Sequence, residues 1–533
     1  MRKNRLCSFK RFDFNLIVNL KKLLVIVLIV LGFVMGTIKE LKNFVKEKFV
    51  DEKVIIASKS EPYSHFKHAG GIKEKKGADG LVTALDPVMQ AIDGSWLAFG
   101  FADGDFELTD LKGRVRVPIS SGKYTLRRIK LNEREKKAMV NIGPGSFWPL
   151  SHLSFYRPLF IRSDWEEYKR INKKVAEQIL DEVGDKKAII WLQDYHLVMC
   201  AKYLKEKNKN LTIGLFWHIP WPDWEIFVRC PWAGEAIDGL LHNDLLGFHI
   251  KQYCNNFVRC CEKTQESKID RDYRAVSKGN LYSKIKDFPI SINVDKFKRW
   301  AESFDNDYLE KIRDKYNIKN KIVALSVERF VYSKGIKEKI LAVEELLNKR
   351  PNLIGKFVLL DFAKLTGSYS TLKEGLDYYN ECKELMFKIN KKYSNSKWQP
   401  IRIVEKQVSQ KELAALYKLS RIGFIVPLHD GMNLVAKEYA VCQTNLDGVL
   451  ILSEFTGSAL ELKDGAIIVN PFSTSDLVKA LEKALDMPLS EKKWRNRILN
   501  DKIRGYNVYD WAKDFFKNLY IIKSEKELIK NVD

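Results

Sequence analysis

Short runs of β-branched and other apolar residues alternate with longer amphipathic helical patterns after residue 53 of this chain. The clearest helical patterns are Asp164–Val183, Ile336–Lys349 and Leu376–Lys391. The predicted strands are Val54–Ala57, Ala188–Leu192, Leu211–Phe216, Ile322–Ser326, Phe357–Phe362, Ile401–Val404, Ile422–Val426 and Gly448–Leu452. This alternation predicts an α/β fold with parallel sheets that are covered by helices on both faces.

The predicted strands form two groups, which meet near the segment 288–295, FPISINVD. Two Rossmann-like domains facing a cleft are the natural architecture for such a division. Open sheets of this kind bind ligands beyond the carboxyl ends of their strands. The composition is 45% hydrophobic and 30% charged over 533 residues, which excludes a disordered chain and leaves enough apolar mass for two cores.

The first 50 residues contain 11 Lys and Arg against 3 Asp and Glu, and they include the uncharged 16-residue run Leu23–Ile38. A membrane-spanning helix needs about 20 apolar residues, but flanking lysines can extend a shorter one. We interpret the segment as an uncleaved membrane anchor, with a signal peptide or a buried soluble helix as alternatives. Its orientation stays open, because seven Lys and Arg precede the run and five lysines follow between residues 39 and 53.

The chain carries 91 Lys and Arg against 68 Asp and Glu, a net charge of +23, and beyond residue 50 this excess is diffuse. Without an Arg-rich stripe or a nucleic-acid motif, we predict no nucleic-acid partner. The 8 cysteines form no Cys-x-x-Cys pair and the 8 histidines no His-Glu-x-x-His motif. The sequence therefore predicts a reducing compartment and no metal site.

A loop and a helix start follow the predicted strand Ile422–Val426, in the segment PLHDGMNLVAKE of residues 427–438. Backbone amides at a helix start are unpaired and suit a phosphate or a sugar hydroxyl. Asp430 can accept hydrogen bonds from hydroxyls, and Glu438 can reach a ribose diol from two turns further along. A strand, an Asp-Gly turn and a helix also occur in many proteins without such a function.

Two cations, Arg329 and Lys334, lie in the segment VERFVYSKGI of residues 327–336, directly after another predicted strand. A planar guanidinium together with a point charge suits a diphosphate. Two solvated cations on a surface loop are the simpler alternative.

Polar side chains also follow two strands of the first group. Asp194 lies in QDYHL at 193–197, and His218 lies in FWHIPWP at 216–222. The carboxyl ends of parallel strands share one edge of a sheet, so both side chains can face the predicted cleft. A structural cap at Asp194 and a hydrogen bond at the edge of the core at His218 are the alternatives.

Together these segments resemble the trehalose-6-phosphate synthase family, glycosyltransferase family 20, from about residue 54 to 520. The most specific markers are DGMNLVAKE at 430–438, Arg-x4-Lys-Gly at 329–335, QDYHL at 193–197, FWHIPWP at 216–222 and DLLGFH at 244–249. Residues 79–88, DGLVTALDPV, resemble the family's glycine loop, and residues 147–150, FWPL, resemble its Trp-Pro-Leu segment. The resemblance implies a GT-B glycosyltransferase fold.

With this resemblance we divide the chain into four parts. Residues 1–50 form a basic N-terminus with the anchor helix at about 15–38. Residues 51–290 form a Rossmann-like acceptor domain, and residues 291–505 form a Rossmann-like nucleotide-sugar domain. Residues 506–533 form a C-terminal helix that crosses back to the first domain.

The resemblance also implies the site residues by position. Arg329 and Lys334 would hold the diphosphate, Glu438 the ribose, and His218 the donor glucose. The catalytic set is Arg329, Lys334, Asp430 and His218. The donor-binding set is Gly80, Arg329, Lys334, Asp430, Gly431, Met432, Asn433, Leu434 and Glu438. The acceptor-binding set is Asp194, Trp148, Lys59 and His65.

The resemblance implies transfer of glucose, with retention and without a metal ion or other cofactor, from a nucleoside-diphosphate glucose to glucose 6-phosphate. The product would be trehalose 6-phosphate. UDP-glucose is the first choice of donor, although the sequence does not separate UDP from GDP or ADP. We further expect attachment to a membrane through the N-terminal helix, with the catalytic domain in the cytoplasm, and we leave a homo-oligomer open.

Several family features of the acceptor site are missing. Ser60 stands where the family has a phosphate-binding arginine, and Lys364-Leu-Thr-Gly367 replaces a second one. The acceptor-site tyrosine, expected about nine residues before Trp148, is absent, and Val331 replaces a common aspartate. The candidate substitutes for the arginines are Lys59, His65, Lys67, His68 and Lys364. The alternatives are therefore another phosphorylated acceptor, such as glycerol 3-phosphate, or a catalytically weak protein that binds nucleotide sugars.

Overall fold

The computed structural model describes residues 36–77, 80–264, 267–271, 274–365, 372–406 and 408–530. The predicted anchor at about 15–38 lies outside these ranges except for its last three residues, so membrane attachment stays a prediction. Among the helices that the structure describes, none combines the length and the apolar character that a bilayer crossing requires.

A ten-stranded sheet forms the first half of the protein, in the order β10-β11-β12-β9-β8-β7-β1-β4-β6-β5. The seven strands from β12 to β6 run parallel, and the strands outside them are antiparallel. A separate hairpin, β2–β3, follows β1. The bounds are β1 Glu52–Ser58, β2 Tyr63–His68, β3 Gly71–Lys76, β4 Ser95–Phe99, β5 Arg114–Val117, β6 Tyr124–Ile129, β7 Lys187–Gln193, β8 Thr212–Phe216, β9 Leu245–Phe248, β10 Lys268–Asp270, β11 Ala275–Lys278 and β12 Leu281–Asp287.

A six-stranded parallel sheet forms the second half, in the order β15-β14-β13-β16-β17-β18. Its central strands are buried along most of their length, as continuous apolar runs require when helices cover both faces. Two such sheets confirm the α/β architecture that the sequence predicts. The bounds are β13 Ile322–Arg329, β14 Phe357–Lys364, β15 Ile401–Ile403, β16 Ile422–Ile425, β17 Val449–Ser453 and β18 Ile467–Val469.

Helices cover the faces of both sheets. Those of the first half are α1 Ile38–Lys48, α2 Gly80–Ile92, α3 Glu133–Ile142, α4 Trp148–Ser151, α5 Arg162–Val183, α6 Cys200–Lys207, α7 Trp224–Phe227, α8 Ala233–Leu240 and α9 Lys251–Thr264. Those that follow are α10 Val294–Ser303, α11 Asn306–Lys315, α12 Ile336–Lys349, α13 Lys373–Tyr393, α14 Gln410–Leu419, α15 Leu434–Cys442, α16 Gly457–Leu462, α17 Thr474–Asp486, α18 Leu489–Arg504 and α19 Val508–Lys530.

The last helix, α19, packs against the first sheet although it follows the second in sequence. The ring of Phe515 stacks on Trp191 of β7 with 4.1 Å between ring centroids. A Cβ atom at Gly214 of β8 would lie 2.9 Å from the side chains of Phe515 and Leu519, so glycine lets the helix approach the sheet closely. This helix therefore contributes to the core of the half opposite to the one it leaves.

The described N-terminal residues belong to the same core. Leu41 and Val45 of α1 are buried, and Phe49 packs on Phe516 of α19 with ring centroids 5.9 Å apart. The Asn507 side chain donates a 2.8 Å hydrogen bond to the Gly36 carbonyl. The boundary predicted at residue 51 thus separates α1 from the domain against which it packs.

Replacing Phe515 by alanine should destabilise the protein by about 3–5 kcal/mol, because this fully buried ring joins α19 to the sheet. The control is Phe387→Ala on α13, whose ring is 69% exposed and should change the free energy of unfolding by less than about 0.5 kcal/mol. Urea unfolding measures both variants. Equal stability of the two would contradict this role for α19.

Candidate active site

The two parallel sheets direct the carboxyl ends of their strands into one cleft of about 610 Å³. Residues just after β1, β7, β8 and β9 line it from the first half, and residues at the end of β13 and after β16 line it from the second. The volume lies within the range of sites for small ligands. The cleft is therefore the candidate active site.

Two cations in the cleft have no anionic partner. Among the described residues, no ion pair or hydrogen bond engages the side-chain nitrogens of Lys59, after β1, or of Arg329, at the end of β13. Burial lowers the pKa of Lys59, the nearby positive charge of Arg329 lowers it further, and Asp194 partly offsets both effects. Two neighbouring cations in a partly buried cleft provide a site for an anion.

The other predicted cation, Lys334, is already paired. Its Nζ lies 2.5 Å from Asp430 Oδ2, and both side chains are at least 85% buried. Burial would raise the pKa of Asp430, but Lys334 and a 3.0 Å hydrogen bond from the Asn433 amide lower it to about 2. Asp430 is therefore a fixed carboxylate, and Lys334 carries less free charge towards a ligand than Arg329 does.

The loop between Asp430 and α15 approaches the first half closely. A Cβ atom at Gly431 would lie 2.7 Å from the His218 carbonyl oxygen, so only glycine fits without displacement of the backbone. Asn433 has a φ of 67° and caps α15 by accepting a hydrogen bond from the Ala436 amide. Met432, Asn433 and Leu434 line the cleft beside Gly80, the first residue of α2. The predicted loop and glycine thus meet in one place.

Asp194 and His218 are joined by hydrogen bonds at the edge of the first sheet. Asp194 has a φ of 68°, which is rare for a residue with a side chain and is typical of functional sites. Its Oδ1 accepts a 3.1 Å hydrogen bond from the His218 amide. Burial raises the pKa of Asp194 to about 6, against the opposing effect of backbone amides and of Lys59. The carboxylate is therefore largely ionised at neutral pH.

The imidazole of His218 is held in one tautomer by a residue that sequence reasoning missed. Its Nε2 lies 2.9 Å from Gln193 Oε1, and an amide oxygen can only accept, so Nε2 carries the proton. His249 likewise donates from Nε2 to the His218 carbonyl over 3.0 Å. Burial lowers the pKa of both rings, to about 4 for His249. Each ring is neutral and keeps Nδ1 as an acceptor.

Trp148 connects the two halves of the site. The guanidinium of Arg329 lies 4.7 Å from the centre of the indole ring, a cation–π contact. On the other side, the ring of His152 stacks on Trp148 with 3.6 Å between centroids. The predicted acceptor-site tryptophan therefore orients the guanidinium of Arg329.

Glu438 lies in the second turn of α15, outside the residues that line the cleft. Tyr417 donates a 2.9 Å hydrogen bond to its Oε2. Burial raises the pKa of Glu438 to about 7, although Tyr417 and Lys296 act in the opposite direction. The position suits a group that extends from the cleft along α15.

The prediction that His65 contacts an acceptor is corrected by its placement. The ring is fully buried in β2, where Nε2 lies 3.2 Å from Glu74 and Nδ1 faces Arg128. His65 therefore belongs to a polar network beneath the β2–β3 hairpin. A period-two strand pattern cannot show that a side chain between two exposed neighbours faces such a network.

Of the candidate substitutes for the missing arginines, only Lys59 lines the cleft. Lys67 forms an exposed ion pair with Glu107, and His68 is exposed in the hairpin. Lys364 is exposed at the end of β14, where its backbone pairs with that of Arg329. The first half therefore supplies one cation, Lys59, where the family pattern has an arginine.

Three cleft residues, Gln193, His196 and His249, were missed by the sequence analysis. All three lie inside or next to the quoted QDYHL and DLLGFH segments. Their position after β7 and β9 was the available signal, because polar residues at the carboxyl ends of parallel strands face the ligand.

A two-sheet α/β protein whose cleft combines unpaired cations, a glycine loop and neutral imidazoles is a GT-B-type glycosyltransferase in its architecture. The chain belongs to glycosyltransferase family 20, since the model of that family matches residues 51–521. This confirms the predicted resemblance and the enzyme class.

Individual relatives differ in their acceptor. The glucosylglycerol-phosphate synthase of Picosynechococcus is 30% identical over 489 residues, covering 87% of this chain and 96% of the relative. The alpha,alpha-trehalose-phosphate synthase [UDP-forming] of Candida albicans is 32% identical over 492 residues, covering 90% and 99%. An E. coli structure, described as trehalose-6-phosphate bound with UDP-2-fluoro glucose, superposes with a TM-score of 0.78 at 28% identity, covering 88% of this chain and 99% of that one.

Removing the charge of Lys334 should be costly. Lys334→Met leaves Asp430 buried without its cation and should destabilise the protein by about 3 kcal/mol, whereas the double variant Lys334→Met with Asp430→Asn should recover most of the loss. Thermal or urea unfolding measures this cycle. The control, Lys337→Met, removes an exposed lysine that pairs with Glu381. A Lys334→Met protein as stable as the control would contradict the importance of the pair.

Proposed function

We propose that this chain is a retaining glucosyltransferase that moves glucose from UDP-glucose to glucose 6-phosphate, giving trehalose 6-phosphate and UDP without a metal ion. The observation that carries the proposal is the unpaired Arg329–Lys59 pair, which lies in the same cleft as the amides of residues 431–434 and the carboxylates of Asp194 and Asp430. Cations and amides suit phosphates, and carboxylates suit sugar hydroxyls.

The reaction follows from where charge develops. The bond between C1 of glucose and the diphosphate oxygen breaks with its electron pair on that oxygen, while an acceptor hydroxyl forms a new bond to C1 on the same face. The hydroxyl proton passes to the departing phosphate oxygen. Arg329 and the loop amides stabilise the departing diphosphate more than the intact donor, which lowers the barrier.

Each half of the cleft has a separate role in this proposal. The loop at residues 430–434 and Glu438 would hold the donor, with the diphosphate against Arg329 and the ribose along α15. Asp194 and Lys59 would hold the acceptor, with the phosphate on Lys59. His218 would accept a hydrogen bond from the donor glucose through Nδ1, since Gln193 holds its Nε2 proton.

A second candidate has the same donor with glycerol 3-phosphate as the acceptor. Ser60 is exposed and uncharged where the family has an arginine, and Lys364 does not line the cleft. Two missing charge-assisted contacts, at about 1.5–3 kcal/mol each, should weaken the binding of glucose 6-phosphate. The similarity to a glucosylglycerol-phosphate synthase matches that to a trehalose-phosphate synthase, which favours keeping this candidate.

The test is turnover of UDP-glucose by the full chain with glucose 6-phosphate, glycerol 3-phosphate and unphosphorylated glucose as acceptors. A disaccharide phosphate from glucose 6-phosphate supports the first proposal, and product from glycerol 3-phosphate alone supports the second. Binding of UDP-glucose without turnover of any acceptor would contradict both and would indicate a nucleotide-sugar-binding relative.

Arg329→Ala should lower kcat by about 100- to 1000-fold, because it removes a donor of charge-assisted hydrogen bonds to the leaving group. Arg329→Lys should restore part of the rate. Arg350→Ala removes an arginine that pairs with Asp486 on the surface and serves as the control. Near-normal turnover by Arg329→Ala would refute its role at the leaving group.

The affinity for UDP-glucose should rise with pH if Glu438 binds the ribose. Burial places its pKa near 7, and the diol binds the ionised carboxylate, so affinity is low at pH 6 and increases up to about tenfold by pH 8. Calorimetric titration with UDP-glucose alone measures this rise. The rise should vanish in Glu438→Gln and persist in Asp194→Asn. A profile that is the same in wild type and Glu438→Gln would exclude Glu438 from donor binding.

A further inference from the structure

One side chain of the cleft, His196, has polar atoms that the proposed roles leave without a partner. It lies in the 3-10 turn Tyr195–Leu197 after β7, lines the cleft and is only 6% exposed. Neither Nδ1 nor Nε2 hydrogen-bonds to any described residue. The nearest carboxylate oxygen, Asp194 Oδ2, is 3.9 Å from Nδ1, too far for a hydrogen bond.

The neighbouring histidines show that this absence is specific to His196. His152 places Nδ1 3.0 Å from the Trp148 carbonyl, and His218 and His249 each donate one N–H as described above. Each of these rings therefore has one proton held by the protein. Burial without any hydrogen bond carries the full desolvation penalty for both nitrogens of His196, which a stable fold retains only where something else compensates it.

The chemistry of the ring indicates what would compensate it. Burial lowers the pKa of His196 well below its usual range, and the positive charge of Lys59 and the ring of His218 lower it further. The ring is therefore neutral, with one N–H donor and one acceptor nitrogen. This pair matches a hydroxyl, which both donates and accepts, rather than a phosphate, which only accepts at neutral pH and suits Lys59.

The surroundings place that hydroxyl on the acceptor. His196 lies on the first half of the cleft, two residues after the carboxylate of Asp194 and within electrostatic reach of Lys59. Asp194 holds a left-handed backbone conformation with φ 68°, so the turn that presents both side chains is strained. Strain of this kind persists where the surrounding structure fixes a functional geometry.

We propose that His196 is a substrate-binding residue that determines acceptor specificity, through hydrogen bonds to a hydroxyl of the phosphorylated acceptor whose phosphate contacts Lys59. This inference rests on the proposed transfer to a phosphorylated acceptor and adds a residue to it. It holds for glucose 6-phosphate and for glycerol 3-phosphate, since both carry hydroxyls a few bonds from the phosphate.

The experiment measures the Kd of glucose 6-phosphate and of glycerol 3-phosphate in the presence of saturating UDP, together with the Kd of UDP alone. His196→Phe keeps a planar ring and removes both polar atoms, so the Kd of the acceptor should rise at least about tenfold while that of UDP changes less than about twofold. His196→Asn keeps one donor and one acceptor and should regain part of the affinity.

Two controls separate binding from structure. In the absence of ligand, His196→Phe should unfold at the same or a higher urea concentration than the wild type, because the unpaired nitrogens stabilise nothing in the free protein. His242→Phe replaces a histidine that bonds the Asp238 carbonyl away from the cleft and should leave both Kd values unchanged.

An unchanged acceptor Kd in His196→Phe, or an equal rise in the Kd of UDP, would overturn the inference while the wild type still binds acceptor. A loss of stability without any change in acceptor affinity would show a structural role and overturn it as well. Failure of the wild type to bind either phosphorylated acceptor would instead overturn the proposed function and this inference with it.

Discussion

The guanidinium of Arg329 lies over the indole of Trp148, and this contact joins the two halves of the cleft. Arg329 ends a strand of the second sheet, whereas Trp148 begins a helix of the first half. The contact orients the guanidinium without neutralising its charge, because a ring face attracts a cation but supplies no counter-ion. The cleft is therefore closed by an interaction that leaves its principal positive charge available to a ligand.

The electrostatics of the cleft divide into three kinds of group. Lys334 and Asp430 neutralise each other and fix the loop before α15, so their pairing is structural as well as functional. Arg329 and Lys59 supply net positive charge, one from each half. The imidazoles of His196, His218 and His249 are neutral and supply hydrogen bonds alone. This separation lets one cleft bind phosphates at some points and hydroxyls at others.

Much of the donor side of the site could be predicted from the sequence. Arg329, Lys334, Asp430 and Gly431 each follow a strongly apolar strand, and parallel strands bring such positions together at one edge. The pairing of Lys334 with Asp430 could not be predicted, because it depends on the side-chain geometry of two loops that are 96 residues apart. The same applies to Gln193, whose role arises only from the ring it faces.

The acceptor side and the fold boundaries were harder to predict. His65 alternates with exposed residues in a strand, and only the position of Arg128 shows that it is buried. The helix α1 looked like a continuation of the basic N-terminus, since its lysines mask an apolar stripe formed by Leu41 and Val45. Both errors come from long-range packing, which local patterns do not contain.

A crystal structure of the full chain with UDP and glucose 6-phosphate tests the central claim most directly. The account predicts diphosphate oxygens within hydrogen-bond distance of the Arg329 guanidinium and of the amides at residues 431–434, with the acceptor phosphate on Lys59. A diphosphate bound outside this cleft, or an Arg329 side chain turned into solvent while UDP is bound, would contradict it.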